Sequence, residues 1–144
     1  MKNIIIMIIR FISTSILGIL VGMIAMMGMH YLSMVFYPLP EGVSLEDANA
    51  LNEYMKTAPF GALIMVIVSH SAGAFIAGVV GKFLANISLW KQQNSFKLQA
   101  LFIGLLFTYF GWLNLQELTH PSWFKIDLFF YVPAAFIGTK LVSK

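Results

Sequence analysis

There is no cysteine in this chain. Disulfides, thiolate metal sites and thiol nucleophiles are therefore excluded. Charge is scarce as well. Asp, Glu, Lys and Arg make up 10% of 144 residues, where an ordinary soluble domain carries about 25%. No nucleotide-binding loop, HExxH helix, GxSxG elbow or pair of hydrolase acids can be found. No cofactor is expected, and an enzyme is the less favoured reading. The net charge is only +3, and no nucleic-acid partner is expected.

What is abundant is apolar surface. Hydrophobic residues make up 59% of the chain, and the mean hydropathy is +0.83. So small a water-soluble core could not hide that many, because small domains bury a modest share of their surface. The bilayer is the expected solvent. A spanning helix needs about 20 mostly apolar residues. Four segments qualify, at about 11–36, 60–84, 98–118 and 121–142. Lys125 and Asp127 interrupt the last near its start. Lys2 and the apolar run after it resemble a signal peptide. Arg10 breaks that run and no small-x-small site follows, so an uncleaved anchor is expected.

The expected fold is all-α: one polytopic membrane domain over 1–144, with four transmembrane helices in a bundle. Lys2 and Arg10 precede span one, Lys82, Lys91 and Lys97 lie about the second connection, and Lys140 and Lys144 end the chain. The positive-inside rule makes that side cytoplasmic, with both termini in the cytoplasm of an inner-membrane protein. Only Lys56 and Lys125 fall on the other side, with all six acids: Glu41, Glu46, Asp47, Glu53, Glu117 and Asp127.

The outer loop, 37–58, starts "YPLPEG", which stops span one and turns the chain. "SLEDANALNEYMK" then reads as a short amphipathic helix, with Ser44 and Asp47 at capping-box spacing. Leu45, Ala48, Leu51 and Met55 share its apolar face. That face is expected to rest on the membrane or cap the bundle, the alternative being a solvated connector.

"VSHSAGAFIAG", residues 68–78, places a histidine inside span two. Positions i, i+3, i+4, i+7 and i+11 share a helix face. From His70 these are Gly73, Ala74, Ala77 and Gly81, a small-residue face of the kind that marks close helix contacts. His70 therefore points inward, roughly 17 Å below Pro59 at ~1.5 Å per residue. Matching stripes run through Ser15, Gly18, Gly22 and Ala25 (a GxxxG pair), through Ala100, Gly104, Thr108 and Gly111, and through Asp127, Tyr131, Ala134, Ala135 and Gly138. Thr108, Tyr131 and the Phe129 carbonyl freed by Pro133 are the expected partners of His70. Asp127 also faces inward, with Lys125, His30 and Asn114 as expected partners. Counting residues puts it about 5–10 Å from His70 along the membrane normal, with Tyr131 between as a bridge. Two readings of His70 follow. It is a neutral hydrogen-bonding clasp, or a proton relay, since an ionisable group inside a membrane is by default a functional candidate.

A second constellation, "NLQELTHPSWFKID", gathers Asn114, Glu117 and His120 near the outer end, level with His30. Glu117 and His120 have the i, i+3 spacing of carboxylate-bridged metal sites, but those need two such pairs. A zinc set of His30, Glu117, His120 and Asp127 is conceivable. The favoured reading is a polar collar at the interface, with no metal. "MIAMMGMH" invites Cu(I), but its methionines spread around the helix.

The order of "PLPEG" after span one, "SHSAGAFIAG" in span two and "PSWFKIDLFFYVPAAFIG" at span four resembles an uncharacterised family of small bacterial four-span inner-membrane proteins. That resemblance implies the fold and the membrane, and no activity. Small multidrug transporters share only the helix number, and their membrane-embedded Glu in span one has no counterpart. The expected function is a non-enzymatic accessory or assembly subunit, with lipid and a larger membrane complex or homo-oligomer as partners. The alternatives are an oligomeric proton-linked transporter or channel using His70 and Asp127, and an intramembrane metal or enzyme site in the outer cluster.

Overall fold

The computed structural model describes residues 2–44, 46–87 and 96–143. All regular structure among them is helical. It comprises α1 (Lys2–Phe36), α2 (Ala48–Thr57), α3 (Phe60–Ile87), α4 (Phe96–Glu117), a 3₁₀ helix (Ser122–Phe129) and α5 (Tyr131–Leu141). Three helices are long and apolar enough to cross a membrane: α1, α3 and α4. Leu45, Lys91 and Lys144, used above, lie outside the described residues.

Two boundaries differ from the sequence reading. The first helix starts at Lys2, because Ile4, Ile5, Ile8 and Ile9 simply extend the apolar helix through Arg10. The expected fourth span is not one α-helix. Pro121 opens eight residues of 3₁₀ helix, and Phe124 N–H donates to the Pro121 carbonyl at 2.9 Å. Pro133 sits in the first turn of α5, where its missing N–H costs little. The two prolines thus bracket a tighter segment, which carries Asp127.

The helices meet through small residues. A Cβ on Gly18 would strike the Ala77 carbonyl and Gly81, and one on Gly22 would strike Gly73 and Ala77. Rising numbers on α1 therefore meet falling numbers on α3, so the pair is antiparallel. On another face of α3, Gly78 lies against Ala135 and Thr139, and Gly138 of α5 against Phe75 and Val79. Gly104 of α4 admits Val132. Helix α3 thus contacts α1, α4 and α5, whereas α1 and α5 do not touch. Hydroxyls in these helices are satisfied locally. Ser69, Thr108 and Thr139 donate to carbonyls four residues back, as apolar surroundings demand.

Helix α2 lies across one end. Met55 and Leu51 pack with Leu63, Ile67 and Phe124, so its apolar face caps the helices. Ala48, expected on that face, is exposed. The cap also differs from expectation. Asp47 is itself the N-cap, its Oδ1 accepting from Asn49 N–H at 3.0 Å and Ala50 N–H at 3.1 Å. Ser44 instead accepts from Asp47 N–H at 3.2 Å, which tightens the turn before the helix.

Candidate functional site: a buried aspartate among histidines

The interior polar centre joins three elements. Asp127 from the 3₁₀ helix is 1% exposed, Tyr131 from α5 2% and His70 from α3 9%. Tyr131 donates its hydroxyl to Asp127 Oδ2 at 2.6 Å. His70 Nδ1 lies 2.7 Å from the same oxygen and 2.9 Å from the Tyr131 hydroxyl. Since Tyr131 already donates to Oδ2, that oxygen acts as acceptor and Nδ1 carries the hydrogen. An ionised carboxylate in apolar surroundings requires such partners.

Packing holds the three in place. The His70 and Tyr131 rings stack at 5.8 Å between centroids, and Phe107 also stacks with Tyr131 at 6.1 Å. Gly111 makes the room. A Cβ there would sit 2.6 Å from the Tyr131 hydroxyl. The small face of α4 thus matters to the site as the absence of a side chain.

The Tyr131 hydroxyl lies within hydrogen-bond distance of both Asp127 and His70, as in the expected chain Asp127–Tyr131–His70. Asp127 also meets His70 directly, a contact the sequence reading did not include. Lys125, Asn114 and Thr108 are not the partners. Thr108 turns back to the Gly104 carbonyl at 2.9 Å.

The outer cluster is divided. His30 stands edge-on against His70, with centroids 5.2 Å apart and planes at 84°. It belongs to the buried centre rather than to the collar. His120 is half-buried and stacks on Phe124 at 4.5 Å, and its Nδ1 donates to the Leu118 carbonyl at 2.8 Å. Glu117 is exposed and Asn114 half-buried. The conceived zinc set is therefore not assembled. Among the described residues, no group of three His, Asp or Glu side chains is placed to hold a metal ion. His30 turns toward His70, and Glu117 points to solvent at the helix end.

Of the histidines, only His70 contacts Asp127 directly; His30 stands against His70, and His120 against Phe124. Burial pushes the His120 imidazole below its ordinary range, partly offset by the Leu118 carbonyl, so it is neutral at ordinary pH. Among the described residues, two buried side-chain atoms have no hydrogen-bond partner: Asp127 Oδ1, and Gln99 Oε1 near the other end of α4.

Sequence reasoning missed two polar sites. Asn52 of α2 donates to the Glu117 carbonyl at 3.3 Å and accepts from Thr119 N–H at 2.5 Å. It thereby closes the end of α4, where carbonyls have no helical partner. At the opposite end, buried Gln99 donates to Thr14 at 3.2 Å and Ser15 at 3.4 Å. Ser15 on the small stripe was the available signal for Gln99, and nothing in the sequence signalled Asn52.

Comparison with protein families, with curated proteins and with solved structures finds no match to this chain.

Proposed function

We propose that the chain is a non-enzymatic integral membrane protein, an accessory or assembly subunit of a larger membrane complex, in which the His70–Asp127–Tyr131 centre is a clasp that fixes helix register. The observation that carries this reading is the closed interior. Helices meet at backbone distance at Gly22–Gly73 and Gly78–Ala135, which leaves little room for a path through one protomer. The carboxylate spends one oxygen on two partners within the chain.

The proposal includes a fourth crossing and a four-helix bundle. At ~2.0 Å per residue for 3₁₀ and ~1.5 Å for α, residues 122–141 reach about 32 Å, against about 30 Å of hydrocarbon. The lysine and arginine bias supports cytoplasmic termini and the inner membrane of a bacterium, in keeping with the resemblance described above. Cysteines replacing Glu46, Gln92 and Ser143 test this: Gln92 and Ser143 label from the cytoplasmic side and Glu46 from the other. Labelling of Gln92 and Ser143 from opposite sides overturns the fourth crossing, and labelling of Glu46 and Gln92 from one side overturns the four-span arrangement. The subunit reading is tested by native size. Gently extracted from its own membrane, the chain migrates in a larger particle than the purified chain alone. Equal sizes overturn it.

A second reading, an oligomeric proton-linked transporter, is favoured by the unpartnered Asp127 Oδ1. It requires a flux driven by a pH gradient in proteoliposomes.

A further inference from the structure

A small cleft has no part in the clasp. It holds about 210 Å³ between the end of α4 and the 3₁₀ helix, at the α2-capped end. Lys125 and His120 line it, with Trp112, Leu115 and Leu128. Among the described residues, Lys125 makes no ion pair. His120 donates from Nδ1 to the Leu118 carbonyl at 2.8 Å, and burial holds its ring below the ordinary titration range. The imidazole is therefore neutral with its hydrogen on Nδ1, and Nε2 offers a lone pair.

We propose that this cleft binds the phosphoethanolamine headgroup of a phospholipid, with Lys125 Nζ donating to the phosphate and the ligand's ammonium donating to His120 Nε2. The pairing follows from the two polar walls. An unpaired cation calls for an anion. A nitrogen that can only accept calls for a donor on the same molecule. A choline headgroup answers the lysine and leaves Nε2 without a partner, because its nitrogen carries no hydrogen. Inorganic phosphate offers an anion and a hydroxyl, but lacks the acyl chains that keep a lipid at this level.

Position and size both suit a lipid. The cleft lies where the apolar helix α4 ends, and Trp112 is in its wall, as tryptophan is in the interfacial belts of membrane proteins. Its volume falls below the about 300–1,000 Å³ of drug-sized ligand pockets, which fits a headgroup whose acyl chains stay in the bilayer. Leu115 and Leu128 supply apolar surface for the glycerol end. All this rests on the chain's lying in a membrane, and not on its membership of a complex. Cysteine labelling and native size test those readings without added lipid, whereas lipid retention is read on the purified chain, so the two failures are told apart.

The test titrates the full chain in detergent micelles with lipids of identical acyl chains, and native mass spectrometry counts the lipid retained. Phosphatidylethanolamine is expected to bind about tenfold more tightly than phosphatidylcholine, which has the same net charge. Phosphatidyl-N,N-dimethylethanolamine keeps one N–H and is expected to bind like the former. Lys125→Gln, at an exposed position, weakens every lipid of the series by about tenfold. His120→Phe keeps a ring against Phe124 and brings phosphatidylethanolamine down to the level of phosphatidylcholine. Inorganic phosphate in excess leaves the lipid in place, and displacement overturns the lipid assignment. Equal binding of all three lipids by the parent overturns the proposal. So does an even decline with each added methyl group, which means that size is read and not the donor, whether or not His120→Phe folds. Unchanged binding in Lys125→Gln, or a preference kept in a folded His120→Phe, overturns it as well.

Discussion

Asp127 Oδ2 and His70 Nδ1 lie 2.7 Å apart across 57 residues of sequence. This contact ties the 3₁₀ segment to the middle of α3. Removing the carboxylate strands the buried His70 and Tyr131 donors, at a cost of about 1–3 kcal/mol for each unsatisfied group. Asp127→Ala is expected to lower stability by about that amount per donor, read by unfolding in detergent. The double change Asp127→Leu with His70→Leu loses much less, because neither polar group is then stranded. Additive losses in the double variant contradict the pairing.

Tyr131 supplies the second donor to the carboxylate. Tyr131→Phe keeps the ring stack and removes one hydrogen bond to a charged group, worth about 1.5–3 kcal/mol. Gly111→Ala is expected to do comparable harm without touching any polar atom, because its methyl group occupies the space of the hydroxyl. Gly28→Ala is the control, since nothing lies within 4 Å of a Cβ there. It is expected to be neutral or slightly stabilising, Ala being the better helix former. Equal melting of Gly111→Ala and Gly28→Ala contradicts the steric account.

Much of this centre was legible in the sequence, for a simple reason. Helix periodicity places His70, Asp127 and Tyr131 on small-residue faces, and small residues mark where helices meet. The direct contact was not legible, because residue counting gives levels of backbone and not the reach of side chains. His30 was misplaced for the same reason: its level suggested the collar, but its ring lies against His70. The 3₁₀ segment was also hidden. Hydropathy sees an apolar stretch from 121 to 142 and is blind to helix type, although Pro121 and Pro133 mark both ends of the change.

The α1–α3 contact leaves no room at Gly22. Gly22→Leu is expected to separate the helices and lower the melting temperature by several degrees, on the order of the loss caused by overpacking, ~1–3 kcal/mol. Gly28→Leu, on the same helix but facing open space, is expected to melt close to the parent. Equal melting of the two variants means that α1 does not dock through this stripe.

The central claim is that the buried centre clasps helices and does not conduct. The most direct measurement compares the parent, His70→Gln and His70→Leu in proteoliposomes under a pH gradient, with melting recorded for each. Gln retains a hydrogen-bond donor for Asp127 and cannot titrate near neutral pH. The account predicts no gradient-driven flux in the parent, parent-like melting for His70→Gln, and a clear loss of stability for His70→Leu. A flux in the parent that disappears in His70→Gln, with melting unchanged, would contradict it.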